Sequence, residues 1–166
     1  MQMAWNENHI SLVGLAGGPA AVSHENHGVT YFQFPLRVSR LSGTEDIVNV
    51  IAAEPLLQSC PVEPGDLLAV EGEVRSYNNR SGTGSKLVIT VYARSLERGQ
   101  GPHKNDLTLA GVLCKPPTLR RTPLGREICD MMLAVNRKYG RADYLPCIAW
   151  GGLASWCGQL SVGDGL

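Results

Sequence analysis

The stretch Asn8-His-Ile-Ser-Leu-Val-Gly14 recurs later in the chain as Asn105-Asp-Leu-Thr-Leu-Ala-Gly111. The two stretches lie 97 residues apart, and the same offset, without a gap, relates Leu36-Arg-Val-Ser-Arg40 to Leu133-Ala-Val-Asn-Arg137. An ungapped repeat at this distance indicates a duplicated domain, because about 100 residues is itself the size of a small domain. The sequence therefore predicts two copies of one fold.

A polar stretch rich in glycine separates the two copies, Gly99-Gln-Gly-Pro-His-Lys104. Such a composition is typical of a linker. We therefore expect a first domain over residues 1–98, a linker over 99–104 and a second domain over 105–166.

Each copy shows the alternation that is typical of β-strands. In the first copy, Ile10, Leu12 and Gly14 alternate with Ser11 and Val13, which is the period of two expected of a strand. Further strands are predicted in this copy over residues 30–39, 46–53, 66–76 and 86–94.

A short helix is predicted between the third and fourth strands, over residues 54–60 and again over 153–160. In the second copy Leu153, Trp156 and Leu160 have the spacing of one helix face, so we expect Trp156 in the core. Three strands, a short helix and a hairpin is the order of a five-stranded Greek-key OB barrel. The predicted fold class is all-β, with two tandem OB barrels. A generic SH3-like barrel is the alternative, but it has no natural place for the helix.

The second copy reaches Leu166 at the point where the first copy enters its fourth strand. The last two strands of the second barrel are therefore expected to be missing. Because an open barrel exposes unpaired strand edges, we expect the native polypeptide to continue for about 30 residues.

The motifs of common enzymes do not occur in this sequence. G-x-S-x-G, the P-loop, H-E-x-x-H and C-x-x-C are all missing, so we predict neither catalysis nor a cofactor. His24 and His27 lie in a polar stretch without further ligands, so no metal site is expected. Five cysteines without a C-x-x-C pair favour reduced thiols in a cytoplasm, and no apolar run approaches the roughly 20 residues of a membrane span.

The formal net charge is zero, but the charge is unevenly distributed. Residues 1–104 contain eight basic and ten acidic residues, whereas residues 105–166 contain seven and five. All seven basic residues of the second copy lie between Lys115 and Arg141, where Glu127 and Asp130 are the only acids. This basic stretch is the kind of feature that attracts a phosphate backbone.

Three stretches of the second copy carry a resemblance to a known family: Thr122-Pro-Leu-Gly-Arg-Glu127, Leu133-Ala-Val-Asn-Arg137 and Asp143-Tyr-Leu-Pro-Cys-Ile-Ala-Trp-Gly151. In order and spacing they resemble the bacterial single-stranded DNA-binding protein family. In the first copy, Gly65-Asp-Leu-Leu-Ala-Val-Glu-Gly-Glu-Val-Arg75 resembles the fourth strand of that family.

The resemblance implies that bases stack on aromatic side chains while basic residues follow the phosphates. The implied stacking residues are Tyr139, Tyr144 and Trp150, with Tyr77 on the hairpin of the first copy. The implied phosphate contacts are Arg120, Arg121, Arg126, Arg137, Lys138 and Arg141 in the second copy, and Arg75, Arg80 and Lys86 in the first.

Alternation along a strand places Tyr144 and Trp150 on one face, as a stacking surface requires. The residues at the corresponding positions of the first copy are Ser42, Ile47 and Ala53, none of which is aromatic. We therefore expect the first barrel to contribute to DNA binding through the Tyr77 hairpin, or else to serve assembly.

The predicted function is sequence-independent binding of single-stranded DNA in replication, recombination and repair, in the bacterial cytoplasm at the nucleoid. The family resemblance implies a homodimer with four OB folds, and replication or repair proteins recruited through a C-terminal tail that this chain does not contain. Two alternatives stay open: an OB-fold scaffold or primosomal accessory that acts through protein contacts, and an RNA-binding OB module.

Overall fold

The computed structural model describes residues 7–79 and 86–166. Its strands are β1 (Glu7–Ala16), β2 (Ala21–Asn26), β3 (Val29–Ser39), β4 (Glu45–Ala53), β5 (Leu67–Asn79), β6 (Lys86–Arg98), β7 (Lys104–Ala110), β8 (Val112–Leu113), β9 (Thr118–Arg121), β10 (Glu127–Asn136) and β11 (Ala142–Trp150). The helices are α1 (Glu54–Ser59) and α2 (Gly152–Cys157). The all-β fold class is therefore confirmed, and each predicted helix lies where the sequence indicated.

The chain divides into two compact units. The first unit consists of His9–Arg75 and Val88–Thr108. The second unit consists of Leu109–Leu166 together with, among the described residues, 7–8, 76–79 and 86–87. The described ends of the β5–β6 hairpin thus group with the second copy of the repeat, although they belong to the first copy in sequence.

The first sheet has seven strands in the order β2-β3-β4-β6-β5-β1-β7, and β1 also pairs with β3. This additional pairing closes the sheet on itself, as the Greek-key barrel requires. Alternate residues of the strands point inward, and the largest fully buried side chains of this unit include Leu12, Phe34, Leu36 and Leu68.

Sequence analysis did not predict β2, which pairs with β3 across a turn at His27 and Gly28. Both turn residues have positive φ, 49° and 76°, as a tight hairpin between twisted strands requires. The strand was missed because it lies at the edge of the sheet, where side chains need not alternate between polar and apolar. The stretch interpreted as a polar loop at His24 and His27 is therefore this hairpin.

The second sheet has β10 at its centre, with β11 and β8 as neighbours and β9 pairing with a further part of β10. Its core includes Leu113, Cys129, Leu133 and Val135. Residues after α2 pair with the sheet: Val112 and Gly165 form an isolated bridge, and backbone hydrogen bonds join Gly111 and Leu113 to residues 163–166. Sequence analysis also missed the short strand β9, because its four residues are all exposed and show no alternation between polar and apolar side chains.

The prediction that Trp156 packs in the core is wrong. Its side chain is 52% exposed and that of Leu153 is 60% exposed, whereas Ala154 and Cys157 are fully buried. The helix α2 is only six residues long, and it ends before Leu160. It contacts β10 and β11 through its small residues, because these allow the closest approach to the sheet.

Candidate nucleic-acid interface

The outer face of β11 carries the two aromatic side chains that the sequence placed together. Tyr144 is 50% exposed and Trp150 is 53% exposed, while Asp143, Leu145 and Ala149 between and beside them are buried. The even-numbered residues from Tyr144 to Trp150 thus face solvent along the strand. The prediction that Tyr144 and Trp150 share one face is confirmed.

The strand register extends this face across the sheet. Trp150 lies opposite Ile128 of β10, and Ile128 lies opposite Arg120 of β9. Trp150 also lines a cleft of about 320 Å³ with Arg126, Glu127 and Gly151. This volume is at the lower end of the range for small-molecule sites. An aromatic ring with guanidinium groups at its side can hold a flat base and its phosphate.

Several predicted phosphate contacts are paired with acids in the structure. Arg120 Nε lies 2.5 Å from an oxygen of Asp130, and Arg121 Nη2 lies 3.2 Å from an oxygen of Glu127. The hydrogen bond from Arg120 holds the pKa of Asp130 below its usual range, against a smaller effect of burial. Both positive charges of β9 are therefore paired with carboxylates within the sheet.

Other predicted cations are exposed. Arg126, Lys138 and Arg141 make no ion pair with an acid in the part of the chain that the structure describes. The Lys138 ammonium lies 5.9 Å from the centroid of the Tyr139 ring, and Tyr139 is itself highly exposed. Of the phosphate contacts predicted in the second copy, these three are the ones whose charge is available to an anion among the described residues.

Arg137 occupies a different environment from its neighbours in the basic stretch. Its Nε and Nη2 donate to the two oxygens of Asp143, at 2.9 and 2.8 Å, and the Asp143 side chain is 1% exposed. This is a two-pronged, charge-assisted pair, the strongest geometry for arginine and a carboxylate. The structure thus uses Arg137 to neutralise a buried acid.

Ser76 joins the β5–β6 hairpin to the same pair. Its backbone N–H donates to Asp143 Oδ1 at 2.9 Å, and its hydroxyl accepts from the backbone N–H of Tyr144 at 2.8 Å. Ser76 and both partners belong to the second unit. The next residue, Tyr77, is about half exposed. The residue that precedes Tyr77 in the hairpin is therefore bonded directly to the strand that carries Tyr144.

Sequence reasoning missed Ser76 and Asp143 as parts of this arrangement. One signal was present, because Arg137 and Asp143 repeat Arg40 and Asp46 at the common offset, and Arg40 makes the same two-pronged bond to Asp46. Nothing in the sequence pointed to Ser76, whose partners are 67 and 68 residues away.

The remaining hairpin residues are divided between the units. Arg75 belongs to the first unit, where it binds Glu73 and lies over the Tyr92 ring. Lys86 is exposed. Arg80, also predicted as a phosphate contact, lies outside the described residues.

Histidine, cysteine and acidic side chains decide whether a chain can hold a metal ion or present a reactive thiol. The described residues contain no group of three or more histidine, cysteine or acidic side chains able to hold a metal ion. Burial raises the pKa of the Cys129, Cys147 and Cys157 thiols, so they stay protonated at neutral pH and are weak nucleophiles. None of the helices among the described residues has the length and hydropathy of a membrane span.

Residues 104–166 match the model of the single-strand binding protein family. A single-stranded DNA-binding protein of Thermus aquaticus is 32% identical over 126 residues, which is 63% of this chain and 48% of that protein. One of Thermus thermophilus is 41% identical over 66 residues, which is 37% of this chain and 25% of that protein. The chain thus spans about half or less of the length of these relatives.

Solved structures extend the likeness over nearly the whole chain. The crystal structure of the wild-type Thermus aquaticus single-stranded DNA-binding protein matches with a TM-score of 0.79 and 26% identity, over 96% of this chain and 82% of that one. A deletion mutant of the same protein matches with a TM-score of 0.81 and 26% identity, over 98% and 84%. The tandem OB architecture predicted from the repeat is therefore confirmed.

Proposed function

Because this chain belongs to the bacterial single-stranded DNA-binding protein family, we propose that it binds single-stranded DNA with little dependence on sequence. The observation that carries the proposal is the outer face of β11, where Tyr144 and Trp150 stand half exposed on the same side of one strand. Every base has a flat face, so stacking needs no particular sequence and contributes about 1–3 kcal/mol per base.

Three exposed cations supply the contacts to the phosphates: Arg126, beside Trp150 in the cleft, and Lys138 and Arg141, in the turn beside Tyr139. Arg120 exchanges its internal carboxylate for a phosphate when DNA arrives, and Arg121 does the same. Such contacts release counterions, so the affinity falls with salt, with a log–log slope of about −0.7 per phosphate.

The hairpin that carries Tyr77 forms one border of the same surface. Ser76, next to Tyr77, accepts a hydrogen bond from the backbone N–H of Tyr144, and both tyrosines belong to one unit. A strand of DNA that crosses Tyr144 therefore meets Tyr77 as well. Tyr139, on the exposed turn between β10 and β11, stacks a base at another border of the surface.

The biological role follows from this activity. The protein coats exposed strands during replication, recombination and repair, at the nucleoid in the cytoplasm, and has no catalytic step. Two copies of the chain associate to bring four OB barrels around the DNA, as the family does. Replication and repair proteins join the coated strand as further partners.

The test is fluorescence anisotropy with labelled oligo(dT), the matching RNA and duplex DNA, at low and moderate salt. Tyr144→Ala and Trp150→Ala should each weaken oligo(dT) binding roughly 5- to 150-fold, as the loss of one stacked base implies. The matched control is Ile47→Ala, because Ile47 is the exposed residue of the first copy at the position of Tyr144.

Full affinity in both aromatic variants would refute the assignment of the stacking surface. Preference for the RNA would favour an RNA-binding module. No response to any of the three nucleic acids would refute the proposed function and favour a scaffold that acts through protein contacts.

A further inference from the structure

An acidic side chain, that of Asp130 on β10, lies on the same face of the second sheet as Tyr144 and Trp150. Residues that pair across strands share a face, and Asp130 pairs with Ile148 of β11 and with Thr118 of β9. Ile148 lies between Tyr144 and Trp150 on β11, and all three side chains are about half exposed. The Asp130 side chain is 39% exposed. A DNA strand that stacks on the two aromatic rings therefore passes this carboxylate.

Asp130 is close enough to Trp150 to meet the edge of a base that stacks on the indole ring. Trp150 lies two residues beyond Ile148 on β11, which makes it a diagonal neighbour of Asp130 across the strands. Diagonal neighbours are about 7–8 Å apart, a distance that a large flat ring can span. The exposed Ile148 side chain between them offers an apolar surface for the face of such a base.

The other two acids of β10 and β11 are placed differently. Glu127 accepts from Arg121 at 3.2 Å and from the Ser155 hydroxyl of α2 at 2.5 Å, so its carboxylate is bonded to the helix. Asp143 is 1% exposed. Both residues have odd numbers, and alternation therefore separates them from the face that carries Asp130. On these two strands, both described in full, Asp130 is the acid that a base on the outer face can reach.

Arg120 bonds Asp130 through two N–H groups on one edge of its guanidinium. Nε lies 2.5 Å from Oδ2, and Nη2 lies 3.4 Å from Oδ1. Two adjacent donors thus face the two oxygens of a carboxylate. Guanine has the same arrangement, because its N1–H and one N–H of its 2-amino group project side by side from its Watson–Crick edge. The Asp130 carboxylate is therefore already positioned for a flat group of this kind.

The fold does not depend on the bond between Arg120 and Asp130. The Arg120 side chain is 51% exposed, and exposed ion pairs stabilise a protein little. The first copy has Gln33 at the position of Asp130, opposite Ile51 as Asp130 is opposite Ile148, so this row of the sheet does not require an acid. Once Arg120 has moved to a phosphate, the carboxylate stands beside a polyanion and needs a new donor.

The bases differ in the donors that they offer to a carboxylate. Arg120 holds the pKa of Asp130 below its usual range, so the acid is ionised at neutral pH and accepts hydrogen bonds without donating any. Guanine presents two adjacent donors, whereas cytosine and adenine present an amino group beside an acceptor nitrogen. Thymine presents one N–H between two carbonyl oxygens, which a carboxylate repels. Bases of a single strand have these edges free for contact.

We propose that Asp130 makes this part of the β11 surface a guanine subsite, in which its carboxylate accepts from N1–H and the 2-amino group of a guanine stacked on Trp150 while Arg120 binds a phosphate. The inference rests on the proposed function and deepens it, because it adds a preference at one position to stacking that is otherwise indifferent to sequence. Asp130 is then a specificity-determining residue.

The first experiment compares the affinity of the full chain for three oligonucleotides of equal length: oligo(dT), alternating thymine and guanine, and alternating thymine and hypoxanthine. Hypoxanthine is guanine without the 2-amino group, so it stacks as a purine and loses one of the two donors. The guanine oligonucleotide should bind roughly 5- to 10-fold more tightly than the hypoxanthine one, as one hydrogen bond to a partly exposed charged acceptor implies.

Substitution assigns this preference to a residue. Asp130→Ala should bind the guanine and hypoxanthine oligonucleotides equally, and Asp130→Asn, which keeps the shape of the side chain, should reduce the preference as well. Asp46→Ala is the matched control, because it removes a carboxylate that Arg40 bonds with the same two-pronged geometry in the first unit. Its ratio of guanine to hypoxanthine affinity should equal that of the wild type.

The second experiment observes the guanine donors directly. An oligonucleotide with ¹⁵N-labelled guanine shows no sharp N1–H proton signal when free, because this proton exchanges rapidly with water. A bond to the Asp130 carboxylate should slow the exchange and produce the signal in the complex with the wild type and with Asp46→Ala. The signal should be missing in the complex with Asp130→Ala.

The outcomes separate the subsite from the proposed function. Binding of oligo(dT) with equal affinity for guanine and hypoxanthine would overturn the guanine subsite and leave the proposed function intact. A preference that persists in Asp130→Ala would also overturn it, because the donors would then be bound elsewhere. Loss of binding to all three oligonucleotides in the wild type would refute the proposed function itself.

Discussion

Replacing Asp143 by alanine should destabilise the second unit far more than replacing Asp46 by alanine destabilises the first. The two residues are counterparts in the repeat, and each accepts a two-pronged bond from an arginine six residues earlier. Their burial differs: Asp143 is 1% exposed and its arginine 22%, whereas Asp46 is 29% exposed and its arginine 60%. The chain therefore contains its own matched control.

The size of the effect follows from what remains after the substitution. Without its carboxylate, the Arg137 guanidinium stays partly buried, and the backbone N–H of Ser76 also loses its acceptor. Removal of one partner from a buried ion pair costs about 3–5 kcal/mol. This is a large fraction of a typical domain stability of about 5–15 kcal/mol. The Arg40 guanidinium, by contrast, is mostly in water, so the loss of Asp46 should change the free energy of unfolding little.

The assay is urea denaturation followed by tryptophan fluorescence for the second unit, where Trp150 and Trp156 lie, and by far-UV circular dichroism for both units. Asp143→Ala should strongly lower the urea concentration at which half of the protein is unfolded. Asp46→Ala should leave this concentration nearly unchanged. If Asp143→Ala does not fold, Asp143→Asn keeps the shape of the side chain without its charge and gives the measurement instead. Equal midpoints for the Asp143 and Asp46 variants would refute the reasoning.

Three further predictions concern charge, packing and thiols. Asp130→Asn removes the carboxylate that Arg120 gives up when DNA arrives, so oligo(dT) affinity should rise while the log–log salt slope stays the same, because the number of phosphates contacted does not change; an unchanged affinity would show that Arg120 does not reach the DNA. A Cβ at Gly111 would lie 2.5 Å from a backbone oxygen of β10, so Gly111→Ala should lower the melting temperature. Gly152→Ala meets nothing within 4 Å and should stabilise the fold by about 0.4–1 kcal/mol; the opposite order in thermal melts would contradict the packing. Cys129 is fully buried with a raised pKa, so thiol reagents should modify it after denaturation and not before, as mass spectrometry would show.

The distribution of charge shows where counting residues misleads. The sequence predicts six phosphate contacts between Arg120 and Arg141, which suggests a uniformly basic surface. In the folded chain Arg120, Arg121 and Arg137 face carboxylates. The available positive charge is thus smaller and more localised than the sequence indicates, because strand pairing brings acids of β10 and β11 beside those arginines.

The same holds for the aromatic side chains of the first copy. Ser42, Ile47 and Ala53 are not aromatic, and the repeat therefore indicated a first barrel without a stacking surface. Tyr31 and Tyr92 come together only when β3 and β6 take their places on either side of β4. Alignment of the copies compares positions along the chain, whereas stacking depends on which strands lie side by side.

The sequence by itself determined the two-copy architecture, most of the strands, the two helices and the shared face of Tyr144 and Trp150. These features depend on local spacing, since the side chains of a strand alternate with a period of two wherever the strand lies in the fold. The tertiary structure alone decided the bond between Ser76 and Asp143, the exposure of Trp156 and the contact between the Tyr31 and Tyr92 rings. Each of these depends on residues far apart in sequence, or on which face of a short helix meets the sheet, and no local pattern encodes either.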